Sequence, residues 1–443
     1  MGLTIVGLGR EKGDLTLSAV AALKKADAVF LRTEKTSSAK TLAEHGVTFK
    51  SFDDLYDKTR SFSGLTKKIV SELRRAAKEY PEVVYAVDGA VSEDLSSAEL
   101  VKKIKNVGII EGVSKVSFLA AKCGLSGKGY SALSAYDRFP DALSLPVIIY
   151  DLDSKMLASA VKLSVFERVG EEVPVYLYIG GLIREIRSYE IDRFDGYDYS
   201  TALVIKDIPL VEKERFSVGD LYDILYVLRG ENGCPWDRVQ TKESIRENLI
   251  EESYELVDAI NCNDDDKMLE EIGDVLMQVA FHTVFAEERG AFTRNDVVSA
   301  LCTKLITRHT HVFGNDSAKD DSSALALWNK NKQKEKGYTN VYEYVSAVPK
   351  NFPACMRAEK TFKRAKSEGV KTCDCSPDDI KRLAEKLSDS ADRAKAAGEF
   401  LYAAVALAKN AGVNAEQALA DHIETVLRKL ADLSIGKKSD DET

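Results

Sequence analysis

The stretch Glu251-Glu252-Ser253-Tyr254-Glu255, with Glu271-Ile272-Gly273-Asp274 downstream of it, puts two carboxylate pairs on two consecutive predicted helices. The first helix is expected from Thr241, a suitable N-cap, to Ile260. At a helical turn of about 100° per residue, Ile245, Leu249, Leu256 and Ile260 share an apolar face. Glu252 falls at the edge of that face, Glu255 follows one turn on, and Glu251 lies further round. Residues 261–266 read as a turn, and a second helix is expected from Lys267 to Ala286. Between Ile272 and Ala286 only Asp274, Gln278, His282 and Thr283 interrupt an apolar run. Glu271, Asp274, Gln278 and His282 fall on one stripe of that helix.

A helix this apolar is expected in a core. Carboxylates on it face a large desolvation cost unless something pairs with them. The preceding helix offers only more carboxylates, and bringing Glu252, Glu255, Glu271 and Asp274 together without a counter-ion would raise their pKa values. A hard divalent cation resolves the conflict, and an all-oxygen set selects Mg²⁺ or Mn²⁺ over zinc. The bland alternative is a solvated acidic face. It suits Glu251 or Glu270 taken alone better than four acids on two largely apolar helices.

Outward from this hairpin, helical periods dominate from Leu221 to Leu433. Residues 207–216 read as a linker, and 314–345 as a polar, mobile segment. The first half alternates instead. A β-prone run at Leu3–Val6 ends in Gly7-Leu8-Gly9, a helical pattern spans Ser18–Ala26, and a second β run covers Ala28–Leu31. Further strands are expected at Val83–Val87, Val107–Ile110, Val147–Asp151, Val173–Ile179 and Thr201–Ile205. Strands alternating with helices build a parallel sheet, and the later strands suit a mixed sheet in a second lobe. The expected architecture is therefore multidomain, a two-lobed α/β half followed by an all-α half.

Composition narrows the function. The 443 residues are too many for one core; 44% are hydrophobic and 30% charged, a soluble globular balance. A net charge of −9 argues against a broad nucleic-acid platform. No apolar run reaches the roughly 18 residues of a membrane span, and the start lacks the charged flank of a signal peptide, so a cytoplasmic protein without membrane or nucleic-acid partners is expected. The seven cysteines form no disulfide framework. Cys373 and Cys375 lack a second pair at zinc spacing, and His309 with His311 is an improbable zinc site.

E-E-x-x-E followed by E-x-x-D resembles the motif of the MazG family of all-α nucleoside triphosphate pyrophosphohydrolases. Residues 230–241 (GENGCPWDRVQT) and Lys304-Leu305-Ile306-Thr307-Arg308-His309, with Val312-Phe313 after it, extend the likeness over 217–345. The resemblance implies Mg²⁺- or Mn²⁺-dependent cleavage of nucleoside triphosphates to monophosphate and pyrophosphate. It implies metal ligands at Glu252, Glu255, Glu271 and Asp274, and Glu251 as a group that orients or deprotonates the attacking water. Lys304 and Arg308, one turn apart, can hold phosphate oxygens or form a solvated basic face. Trp236 can stack on a base or serve as a core or lid aromatic. A single helix pair cannot enclose a triphosphate, so at least a homodimer is expected.

Residues 1–207 resemble the tetrapyrrole (corrin/porphyrin) methylases through Val6-Gly7-Leu8-Gly9, Gly13-Asp14-Leu15-Thr16-Leu17, Ala26-Asp27-Ala28-Val29-Phe30 and Glu111-Gly112-Val113-Ser114. That likeness implies an S-adenosylmethionine site near Gly7, Gly9, Gly89 and Ser114. The chain departs from the family pattern at three places. Asp88-Gly89-Ala90-Val91 replaces Pro-Gly followed by Asp or His and Pro, and both Arg10 and Glu111 stand where Pro is usual. Methyl transfer as the main activity, with the helices as a support, and a retained α/β scaffold that regulates or dimerises are the competing readings. Finally, residues 346–436 read as a decayed second copy of the helical unit. Ala396-Ala397-Gly398-Glu399-Phe400-Leu401 parallels Glu271–Leu276 without an E-E-x-x-E before it, and keeps a packing stripe of Leu401, Val405 and Leu407.

Overall fold

In the computed structural model, which describes residues 2–11, 13–59 and 62–438, the chain divides into two compact units, one ending at Ala291 and one beginning at Phe292. The first unit holds two sheets. Strands β1 (Gly2–Gly7), β2 (Ala28–Leu31), β3 (Lys50–Ser51), β4 (Glu82–Val87) and β5 (Gly108–Ile110) form a sheet of order β3-β2-β4-β1-β5, parallel throughout. Helices such as Leu17–Lys25, capped by the Thr16 hydroxyl, make the crossovers that parallel pairing requires. The central strands are buried on both faces, which is why β1 and β4 read as near-continuous apolar runs.

The second sheet contains β6 (Ser131–Ser134), β7 (Val147–Tyr150), β8 (Pro174–Ile179), β9 (Leu182–Arg187) and β10 (Ala202–Ile205) in the order β6-β7-β10-β8-β9. Only β6 and β7 pair in parallel. Strands β6 and β9 were not expected. β9, LIREIR, is half charged and lies on an edge, so it leaves the sequence little apolar signal. The 207–216 segment is a pinned connection. Glu214 accepts from the Glu171 and Glu172 amides, and Lys213 pairs with Asp220 at 2.5 Å.

Among the described residues beyond Lys206 there is no strand. The expected mobile segment 314–345 is itself helical, with helices Asp321–Lys336 and Val341–Ser346. Asp320 caps the first through the Ser323 amide, and Gly337 ends it at φ +63°, so local capping overrides a polar composition.

Three glycines set how the first sheet ends. A Cβ on Gly112 would lie 2.3 Å from the Gly89 carbonyl oxygen and 2.6 Å from the Gly7 carbonyl carbon. Gly112→Ala is therefore expected to destabilise the α/β half by about 1–3 kcal/mol, as overpacking does. Thermal unfolding followed by circular dichroism checks this, and an unchanged midpoint would show that these strand ends part freely.

Candidate metal centre

The carboxylate hairpin consists of helices Arg246–Cys262 and Asp265–Glu288. The first begins later than expected. Thr241 does not cap it but closes the turn before it, its hydroxyl accepting from the Ser244 amide and its carbonyl from the Ile245 amide. Ile245 is buried at that junction. Between the helices Asn263 adopts the left-handed conformation at φ +53°, and the Asp264 carboxylate caps the second helix through the Lys267 amide. The turn is thus tight enough to align the two acidic segments side by side.

The second helix divides along its length. Its C-terminal half packs Ala280, Phe281, Val284 and Phe285 against Tyr222 and Leu225 of the helix Val218–Arg229, with Ile245 completing the cluster. Its N-terminal half is not the core helix expected from composition. Leu269, Ile272, Leu276 and Val279 are exposed, as are Ile250, Tyr254 and Val257 on the first helix. These residues recur at helical spacing, so each helix presents an apolar stripe beside its acids.

Facing inward between the helices is the expected polar stripe. Carboxylate oxygens of Glu252, Glu255 and Glu271 all lie within 4.8 Å of one another. Glu271 is 9% exposed, and its Oε2 is buried without a hydrogen-bond partner. The same holds for Gln278 Oε1 and His282 Nε2 further along the stripe. Burial first, then the charges of Asp274, Glu255, Glu251 and Glu271, hold the Glu252 carboxyl above the usual carboxylate range. For Glu271 burial again comes first, followed by Glu255, Glu270 and Asp274. Asp274 thus stands beside the trio and acts on two of its members. Glu251 is exposed on the same helix. Burial pushes the His282 imidazole down, which favours its neutral form.

An unpartnered buried carboxylate oxygen among like charges is costly. The donor set fits a hard cation, because every group offered is a carboxylate oxygen. Of the four expected ligands, Glu252, Glu255 and Glu271 converge, while Asp274 stands beside them.

A basic cluster lies in the second unit. Arg308, at the end of the helix Arg294–Arg308, is buried, and its Nε and one terminal nitrogen donate to the Glu335 carboxylate at 2.8 and 3.0 Å. Its guanidinium lies 5.1 Å from the centroid of the Trp328 ring, and Lys332 lies 4.8 Å from the same ring. Burial first, and then Arg364, Arg308, Lys360 and Lys336, push the Lys332 ammonium below its ordinary range. Positive charge is therefore concentrated around an aromatic face, the chemistry an anionic nucleotide calls for. Sequence reasoning named Lys304, half-buried here, and Arg308, but missed Trp328 and Lys332. Their signal was the spacing Trp328, Lys332, Lys336, one helical turn apart each time, within a segment read as a loop. Trp236 is exposed on the short helix Pro235–Val239, which removes the core reading for it.

A family model described as the MazG nucleotide pyrophosphohydrolase domain matches residues 240–313, and one for tetrapyrrole (corrin/porphyrin) methylases matches residues 2–144. The uncharacterized protein YabN of Bacillus subtilis is 33% identical over 375 residues, covering 82% of this chain and 76% of that one. The nucleoside triphosphate pyrophosphohydrolase of Escherichia coli K12 is 37% identical over 199 residues, 43% of this chain and 76% of that protein. The chain belongs to the MazG nucleotide pyrophosphohydrolase family. A similar match, 37% over 206 residues, joins it to the nucleoside triphosphate pyrophosphohydrolase/pyrophosphatase MazG of Thermotoga maritima, covering 45% of this chain and 78% of that one. The MazG match contains the whole acidic hairpin, Lys304 and Arg308, and the methylase match contains the five strands of the parallel sheet.

Beyond the MazG match, the helices Pro377–Asp389 and Arg393–Asn410 form another packed pair. Buried positions Glu271, Gln278, Ala280 and Phe281 correspond to buried Ala396, Ala403, Val405 and Ala406 at a constant offset. The two buried polar positions of the stripe, Glu271 and Gln278, correspond to alanine there. Leu401, expected in the packing stripe, is exposed, as is its counterpart Leu276. Glu399 pairs with Lys386 at 2.6 Å, which holds its carboxyl below the usual range.

Proposed function

We propose that the acidic hairpin hydrolyses nucleoside triphosphates to the monophosphate and pyrophosphate, using Mg²⁺ or Mn²⁺ held by Glu252, Glu255, Glu271 and Asp274. The observation that carries this reading is the trio of carboxylates within 4.8 Å, one with a buried, unpartnered oxygen. A bound divalent ion supplies neutralisation of the triphosphate and a lowered pKa for the attacking water. Glu251, exposed at the edge of the trio, orients or deprotonates that water. Gln278 and His282 offer hydrogen-bonding atoms along the inner stripe. Trp236, exposed on its short helix in the same unit as the hairpin, stacks on the base.

The working unit is a homodimer. The exposed stripes Ile250–Tyr254–Val257 and Leu269–Ile272–Leu276–Val279 support this, since exposed apolar residues recurring at helical spacing mark an interaction surface. Residues 346–436 are a second, decayed copy that keeps the packing and lacks the chemistry. Glu399→Gln is accordingly expected to leave turnover within about twofold, because a salt-bridged surface acid contributes little; a large loss in a well-folded variant would reject the reading.

Pyrophosphate release by the full chain over a panel of canonical and damaged nucleotides, with and without Mg²⁺, tests the activity. Metal-dependent release is expected. Release no greater than that of the Glu271→Gln protein with every nucleotide would sink the proposal.

A further inference from the structure

The carboxyl ends of β1, β4 and β5 are where a ligand of an open parallel sheet would sit. In this chain that crevice is filled from within. Gly7, Gly89 and Gly112 lie against one another: a Cβ on Gly7 would be 2.4 Å from the Gly112 nitrogen and 2.7 Å from the Gly89 oxygen. Gly9 and Gly89 exchange backbone hydrogen bonds at 3.2 and 2.9 Å, which uses amides that a cofactor would otherwise meet. The N-terminus of the helix Lys115–Lys122, an anion site by its dipole, is taken by Glu93. That carboxylate accepts from the amides of Lys115 and Val116 and from the Ser114 hydroxyl.

The three departures from the methylase pattern all enter this filling. Arg10 donates to the Tyr178 hydroxyl on β8, and its guanidinium lies 3.7 Å from the centroid of the Phe118 ring. Asp88, buried, accepts from Ser38 at 2.6 Å. Glu111 accepts from the Val91 amide at 2.7 Å. Two further ion pairs complete the network: Lys115 with Asp151 at 2.6 Å and Arg32 with Asp94 at 2.7 Å, every partner at most 4% exposed. The Lys115–Asp151 pair reaches the end of β7, and the Arg32 guanidinium lies 5.2 Å from the centroid of the Tyr199 ring beside β10. Burial raises the Asp88 carboxyl, against the opposing pull of Lys115, Ser38 and Arg32.

We infer that this crevice is an internal electrostatic clamp joining the two lobes of the α/β half, and that it takes neither S-adenosylmethionine nor S-adenosylhomocysteine at Gly7, Gly9, Gly89 and Ser114. A cofactor there would have to displace paired, desolvated charges and part glycine backbones already in contact. The backbone amides of Gly9, Gly89, Lys115 and Val116 that would greet it are already bonded within the chain. The α/β half is then a closed scaffold.

Calorimetric titration of the full chain with each compound, up to millimolar concentration, is the direct test. No saturable heat and no shift in Tm are expected; saturable binding of either compound at about one per chain would overturn the inference. Lys115→Met and Asp151→Asn test the clamp independently. Each is expected to lower the Tm of the α/β half by roughly 5 °C or more, since each strands a buried charge, and the double variant by less than the sum of the two. Wild-type Tm in both single variants would show that the charges do not hold the lobes.

Discussion

Glu271→Gln is expected to lower metal-dependent nucleoside triphosphate cleavage roughly a thousandfold, because loss of one ligand charge removes several kcal/mol of transition-state stabilisation. The amide keeps the shape of the side chain and deletes only its charge. The fold should therefore survive, and the metal-free protein should melt no lower than the parent. Indeed the substitution relieves repulsion: Glu255, Glu270 and Asp274 all press on the Glu271 carboxyl, and its Oε2 has no partner to lose. Loss of turnover without loss of stability is what separates a metal ligand from a structural acid. Glu252→Gln, Glu255→Gln and Asp274→Asn should behave alike, and each should weaken the thermal shift produced by Mn²⁺. If any two of the four kept wild-type turnover at low Mg²⁺, the ligand set would be wrong.

The second large effect concerns assembly. Ile272 is 51% exposed and Leu276 lies one turn further on the same face of the second acidic helix. Placing charges there, as Ile272→Asp with Leu276→Asp, should leave the single chain soluble, because no core contact is removed. In a dimer the same aspartates would be desolvated without partners, a cost of several kcal/mol. The variant is expected to run at the mass of one chain in light scattering, the parent at twice that mass, with activity falling roughly a hundredfold, as for loss of an interface hot spot. A parent that is monomeric and fully active at working concentration would reject the dimer.

Much of the site was legible because its chemistry is local. Glu252, Glu255 and Glu271 sit on two helices whose spacing and tight turn bring them together, with Asp274 beside them. The basic cluster was only half legible. Arg308 meets Trp328 and Lys332 across two helices, and the segment carrying the latter pair is polar enough to resemble a loop until Asp320 and Gly337 are recognised as its caps. The central strands β1 and β4 were readable as apolar runs because both their faces are buried; the edge strand β9, half charged, was not.

The sequence by itself determined the order of the two halves and the acidic hairpin, since each follows from residue type at short spacing. Tertiary structure alone decided how the glycine-rich strand ends are packed. Arg10, Asp88 and Glu111 read as faults in a cofactor motif, yet they and Lys115 find partners as distant in the chain as Tyr178, Ser38, Val91 and Asp151. Likewise the apolar run after Ile272 fixes a helix but not which of its faces is covered. Burial and pairing are sums over the whole fold, and a spacing rule sees only the nearest turn.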